Sequence, residues 1–232
     1  MKTFNTLLLQ CLLLIAAPVS AQVLDFKAIA NTNERGYSSI NLDSTPGFDI
    51  NLDVDIFGKY SNSTGVLDAY AYMDKGNAGL GVCKALTSSN QCTPSSDDNV
   101  TGDSTYYEYL VFVFNEAVTI SKLWFNNNHD PDRHLDGDTI TIGGSDVTFA
   151  YTDIDPSRSS GISSSNNDYL YNSVLSFVAG ESLIISYYSG TDLRADEFYL
   201  SAMDITAVPE PGALALLGLG LITLGMSRRR RT

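Results

Sequence analysis

Between Gln22 and Ala207 no apolar stripe recurs at helical spacing, while short segments alternate apolar and polar residues again and again. That pattern sets the fold class, because a strand with one buried and one wet face has a side-chain period of two. Phe48, Ile50, Leu52, Val54 and Ile56, interleaved with Asp49, Asn51, Asp53 and Asp55, are the clearest case. Further strands are expected over 23–29, 66–73, 107–114, 118–125, 139–142, 146–151, 169–177, 182–188 and 197–206. Clusters of Gly, Asn, Asp and Ser separate them, and no βαβ alternation is visible, which argues against Rossmann and TIM architectures. The expected fold is all-β, an antiparallel β-sandwich of jelly-roll type.

The chain of 232 residues carries 14 basic and 27 acidic side chains, a net charge of -13. The charge is unevenly placed, since residues 22–207 hold nine of the basic and 26 of the acidic groups. So acidic a body repels phosphate backbones, and no basic stripe with interleaved aromatics offsets it, which excludes nucleic acid as a partner. Divalent cations and neutral sugars suit it better.

Residues 1–21 have the makeup of a secretory signal peptide: Lys2 at the start, an apolar run over 7–17, and the small-residue site Val19-Ser20-Ala21. Cleavage between Ala21 and Gln22 by signal peptidase, after export through the Sec machinery, is expected. The N-terminal segment is thus a cleavable signal helix, and Cys11 leaves with it.

At the other end Val208-Pro209-Glu210-Pro211-Gly212 precedes the apolar run 213–226 and then Ser227, Arg228, Arg229, Arg230, Arg231 and Thr232. Prolines flanking Glu210 impose an extended segment that a processing enzyme can hold as a strand. The apolar run is expected to form a short C-terminal transmembrane helix, and the four arginines to hold the tail at the cytoplasmic face. Fifteen apolar or small residues from Gly212 to Met226 are few for a permanent span but enough for a transient hold during sorting.

Pro209-Glu210-Pro211, a short Gly/Ala/Leu run and a terminal Arg cluster together resemble the PEP-CTERM sorting signal. The resemblance implies an exosortase as partner, a membrane transpeptidase that recognises Pro209, Glu210 and Pro211 and removes the apolar helix and basic tail. It implies further an inner-membrane intermediate in a Gram-negative bacterium, then delivery to the cell surface or an extracellular matrix rich in polysaccharide. The chain thus divides into a signal peptide over 1–21, an extracellular β-sandwich over 22–207 and a sorting signal over 208–232.

After signal removal Cys83 and Cys92 remain, and an even pair in an exported chain is expected to form a disulfide. A loop of this size contributes on the order of 2 to 3 kcal/mol. The run Ala78-Gly79-Leu80-Gly81-Val82-Cys83, then Gln91-Cys92, Asp97-Asp98-Asn99-Val100, Glu108 and Phe114, resembles a core pattern recurrent among PEP-CTERM surface proteins, which implies an extracellular sandwich and no chemistry.

Candidate chemistry is sparse. His129 and His134, the two histidines, fall in a loop with Asp130, Asp132, Asp136 and Asp138. Four hard oxygen donors within nine residues are what Ca²⁺ prefers, although the EF-hand pattern is not met. A solvated turn explains the same residues more simply, and a transition metal on the two histidines is a third reading. Asp97, Asp98 and Asn99 read first as a charged turn before a strand, with a second oxygen cluster that Glu108 can join through the fold as the alternative. Trp124 reads first as a core residue, with a ligand-stacking platform as the alternative. Among the 13 tyrosines, adjacent pairs such as Tyr106-Tyr107 put one ring on each sheet face, where outward rings can stack on sugars. Gly143-Gly144-Ser145 is a hairpin turn and no nucleophile elbow. The expected function is a non-enzymatic surface or matrix protein acting in adhesion or in binding extracellular polysaccharide, with a glycan-acting hydrolase on the same scaffold as the alternative.

Overall fold

The computed structural model describes residues 21–48, 50–95, 97–102, 106–127, 135–158, 167–188 and 197–208. In chain order the elements are β1 (Gln22–Asp25), α1 (Phe26–Thr32), β2 (Arg35–Tyr37), β3 (Ile40–Asn41), β4 (Val54–Asn62), β5 (Gly65–Asp74) and β6 (Gly79–Cys83). They continue with β7 (Tyr107–Phe114), β8 (Val118–Asn126), β9 (Thr139–Ile142), β10 (Ser145–Thr148), β11 (Tyr169–Phe177), β12 (Ser182–Tyr187) and β13 (Tyr199–Ala207). The strands form one antiparallel sheet in the order β10-β9-β12-β7-β4-β5-β6-β13-β8-β11, with β1 on β13, β2 on β5 and β3 on β4.

The antiparallel β character agrees with the sequence; the jelly roll of two separate sheets does not. The reason lies in β5. Its first half pairs with β4, Ala69 opposite Gly58, and its second half pairs with β6, Tyr70 opposite Cys83. One strand therefore belongs to both halves, and the sheet is continuous and curled. Gly58 permits the crossing, since a Cβ there would lie 2.4 Å from the Tyr70 carbonyl oxygen. Curling turns one apolar face inward: Val54, Ile56, Leu110, Phe112 and Phe114 from one half meet Ile120, Phe125, Leu200 and Met203 from the other in a single buried cluster. Phe114 on β7 stacks on Phe177 of β11 with ring centroids 4.5 Å apart. Removing a side chain such as Phe112, which is fully buried, costs about 3 to 5 kcal/mol.

The expected signal helix and transmembrane helix are also corrected as elements of the fold. Among the described residues no helix is long and apolar enough to cross a membrane, and α1, with seven residues, is the one α-helix there. The apolar runs at both ends fall short of the ~20 residues a span needs. Residues 1–20 and 209–232 themselves lie outside the described residues.

Two strand expectations shift. The alternation over 48–56 becomes a ladder only from Val54. Before it the chain turns repeatedly, with Leu52 N–H donating to Ile50 O and Val54 N–H to Leu52 O, so Phe48 and Leu52 are buried without a strand partner. The expected strand 23–29 ends at Asp25, whose Oδ1 accepts the Ala28 N–H at 3.0 Å and starts α1. Phe26 and Ala30, four apart, are its buried face.

Candidate functional site

The sorting residues Pro209, Glu210, Pro211 and Arg228, Arg229, Arg230 and Arg231 lie outside the described residues, as do His129, Asp130, Asp132 and His134. Ala21 is exposed and Gln22 opens β1 opposite Ile205. Of the loop over 130–138, Asp136 spends Oδ1 on the Tyr151 N–H at 2.8 Å, and Asp138 is buried, with its carbonyl accepting the Phe149 N–H. The structure brings together no more of that loop. Cys83 and Cys92 are joined, Cα atoms 5.8 Å apart, which ties the end of β6 to the chain leading into Asp97. Asp97 lies within 4.8 Å of both sulfurs, but sulfurs bonded to one another are not thiolates for a metal.

Two sites do assemble. The first is the outward face of the half-sheet β5-β4-β7-β12. Inward positions on β4 and β7 are spent on the core, which leaves Phe57, Lys59, Tyr107, Tyr109 and Val111 pointing out. Register aligns them: Ile184 faces Val111, Val111 faces Phe57, and Lys59 faces both Tyr109 and Asp68. The row Ile184-Val111-Phe57, extended by Tyr70 of β5, is thus apolar and aromatic where a wet face should be polar. Ile184 and Tyr107 are exposed, and the Tyr107 and Tyr109 rings lie 6.0 Å apart. At the β5 end this face opens into a cleft of about 370 Å³ lined by Phe57, Lys59, Asp68, Tyr70, Ser38 and Lys84. Lys59 pairs with Asp68 across the strands and lies 5.7 Å from the Phe57 ring centroid.

The second site is the cluster behind that cleft. Lys84 Nζ lies 2.6 Å from Asp97 Oδ1 and 3.0 Å from Glu108 Oε1, and 4.0 Å from the centroid of the Tyr106 ring. The Lys84 backbone N–H donates to Asp97 Oδ2 at 3.2 Å, and the Thr101 N–H to Glu108 Oε2 at 3.2 Å. The proximity of Gly81 makes this possible: a Cβ there would lie 2.1 Å from the Asp98 carbonyl oxygen, so only glycine lets the 97–99 segment approach β6. Burial pushes the Glu108 carboxyl up to about 8, against the pull of the Lys84 charge. Partial burial works against the charge on Lys84, yet its two carboxylate partners hold the amine above its ordinary value. Asp97 and Glu108 therefore meet, as the oxygen-cluster reading expected, but around a lysine. Asp98 instead accepts from the Tyr199 hydroxyl at 2.7 Å, and Asn99 donates to Glu197 Oε2 at 2.6 Å. Burial first, then Asp98, raises the Tyr199 phenol.

Trp124 is buried, as the core reading expected, and is no exposed platform. It is buried outside the main cluster, its Nε1 donates to Asp155 at 2.8 Å, and the Arg158 guanidinium sits 5.1 Å from its ring centroid. Arg158 and Lys27 also hold the fully buried Asp168, at 3.1 and 2.7 Å. Such a site holds the fold together and leaves no ring face for a ligand.

Phe57, Tyr70 and Lys84 escaped the sequence reading. Continuing the alternation past Ile56 would have marked Phe57 as an aromatic at a wet position. Lys84 carries no local signal, because its partners come from two later segments.

Residues 207–231 match the PEP-CTERM protein-sorting motif. No curated protein and no solved structure matches the chain. The chain therefore carries, on its strongly acidic curled β-sheet, the PEP-CTERM sorting motif of an exported protein that an exosortase processes.

Proposed function

We propose that this exported protein binds extracellular polysaccharide without turning it over, at the outward face of β5-β4-β7-β12. On this reading the Sec machinery and signal peptidase deliver the mature chain from Gln22, and exosortase processing in a Gram-negative envelope passes it to the cell surface or matrix. The observation that carries the reading is the register-aligned row Ile184-Val111-Phe57 with Tyr70, running into a cleft edged by Lys59, Asp68 and Ser38. Apolar ring faces flanked by hydrogen-bonding groups suit the C–H faces and hydroxyls of a sugar.

Charge selects a neutral chain. Lys59 is matched by Asp68, and Lys84 by Asp97 and Glu108, so both cleft lysines are already compensated. Glu108 is wholly buried and Asp97 is tied to Lys84, so this carboxylate pair is not placed to attack a glycosidic bond in the cleft.

A glycan array followed by titration calorimetry on the exported protein tests the reading. Phe57→Ala or Tyr70→Ala should weaken binding about tenfold each, the worth of one stacked ring at about 1 to 1.5 kcal/mol. Unchanged affinity in both variants, or hydrolysis of a bound glycan, overturns it.

A further inference from the structure

Lys84, Asp97 and Glu108 form an amine, an acyl acceptor and a proton carrier held in reacting order. The Lys84 nitrogen lies 2.6 Å from one Asp97 oxygen, and the other Asp97 oxygen accepts the Lys84 backbone N–H at 3.2 Å. The carboxylate is thus oriented by two donors of the residue that would attack it, and the backbone N–H sits where negative charge develops on a tetrahedral carbon. Glu108 is fully buried, reaches Nζ at 3.0 Å and is fixed from behind by the Thr101 N–H. The Tyr106 ring covers Nζ on another side. A plain surface ion pair needs neither a buried third carboxyl nor a backbone donor on the acceptor.

We infer that Lys84 and Asp97 condense within the folded protein into an intramolecular amide, with Glu108 as the group that relays protons. The Lys84 ammonium first gives a proton to the Asp97 carboxylate, leaving a neutral amine beside a carboxylic acid. The nitrogen lone pair attacks Asp97 Cγ, the new C–N bond forms, and the oxyanion rests against the Lys84 backbone N–H. Glu108 delivers its proton to the departing hydroxyl and recovers one from the new N–H, so it ends as it began. One C–O bond breaks and one water leaves; no oxidant, reductant or outside reagent enters.

Two features promote the condensation. Fixing both partners in contact gives an effective molarity on the order of 10⁵ M or more. Burial keeps Glu108 in its acid form near neutrality, able to donate. The two carboxylates stabilise the Lys84 charge, which makes the free amine a minor species and the reaction slow. An irreversible step tolerates slowness. The product staples the same two segments as Cys83–Cys92, but by a bond that reductants do not open.

The test is mass spectrometry of the full exported protein after reduction and denaturation. The expected mass is one water below that of the processed chain, with a branched peptide joining Lys84 to Asp97 and a Lys84 that amine-acylating reagents no longer modify. Asp97→Asn should yield the same branched peptide by losing ammonia. Glu108→Gln, checked for an intact Cys83–Cys92 disulfide, should leave Lys84 free. Full mass in the wild type, or a water lost while Lys84 is still acylated, as from a succinimide at Asp97, overturns the amide. Branching at an unchanged rate in Glu108→Gln overturns the relay.

Discussion

Replacing Glu108 by Gln should change how stability depends on pH more than it changes stability itself. Burial holds the folded-state carboxyl near 8, against an ordinary value of 4.5. The folded chain therefore binds this proton more tightly than the unfolded chain does. Its contribution is fully present below about pH 4.5 and is lost as pH rises through 8. Each pH unit between these values removes about 1.4 kcal/mol, so the whole window is worth about 4 to 5 kcal/mol at most. Of the groups facing Glu108, Lys84 and Tyr106 are both held above their ordinary values and stay protonated throughout. Gln reproduces the size and neutrality of the protonated acid. Denaturant unfolding of wild type and Glu108→Gln, followed from pH 5 to pH 9, should give similar stabilities at pH 5. By pH 9 the variant should be the more stable protein by several kcal/mol. An amide between Lys84 and Asp97 would remove one charge of each sign and leave burial to dominate, so the slope keeps its sign. Parallel curves for the two proteins would refute the reasoning, since they would mean that Glu108 ionises alike folded and unfolded.

Changing both Cys83 and Cys92 to Ser should lower unfolding stability by about 2 to 3 kcal/mol, the value of a loop this short, and an unchanged denaturation midpoint would refute it. Gly81→Ala should cost about 1 to 3 kcal/mol, because a Cβ 2.1 Å from the Asp98 carbonyl forces backbone apart; thermal melts read this directly. Glu210→Ala, or removal of Arg228, Arg229, Arg230 and Arg231, should leave full-length precursor in immunoblots of cell fractions, and normal mature mass in both would remove the sorting motif from the pathway.

How far the sequence could be read depended on whether the cause was local. The hairpin between β9 and β10 was legible because Gly143 and Gly144, with φ of 58° and 81°, supply the left-handed pair that a two-residue turn needs. The β7 and β8 strands were legible from continuous apolar alternation. The Asp25 cap was also local, and a strand pattern running into α1 masked it. Strands β2, β3 and β6 were missed for other reasons: the first two are three and two residues long, and β6 contains Gly79 and Gly81, poor strand formers kept for close approach. The curl of the sheet rests on β5 dividing its partners between β4 and β6, a non-local fact. The two candidate sites were illegible for the same reason. An outward row needs four strands in register, and Lys84 needs Asp97 and Glu108 from segments 13 and 24 residues on.

The position of the sorting segment bears on what the outward face can reach. β13 runs out beside the start of β8, Ala207 opposite Val118, and the Val208 N–H donates to the Ala117 carbonyl at 2.8 Å. The PEP-CTERM match begins at residue 207, so the chain leaves for its processing site from that end. The cleft lies toward the other end of β7, at the level of Tyr109 and Val111, which pair with Lys59 and Phe57. Three residues of extended strand from Val111 to Phe114 span about 10 Å before the chain turns into β8. The Phe57 and Tyr70 cleft is therefore set back along β7 from the place where β13 ends. That separation is what the proposed polysaccharide binding needs, since the face then stands clear of the segment that the exosortase processes.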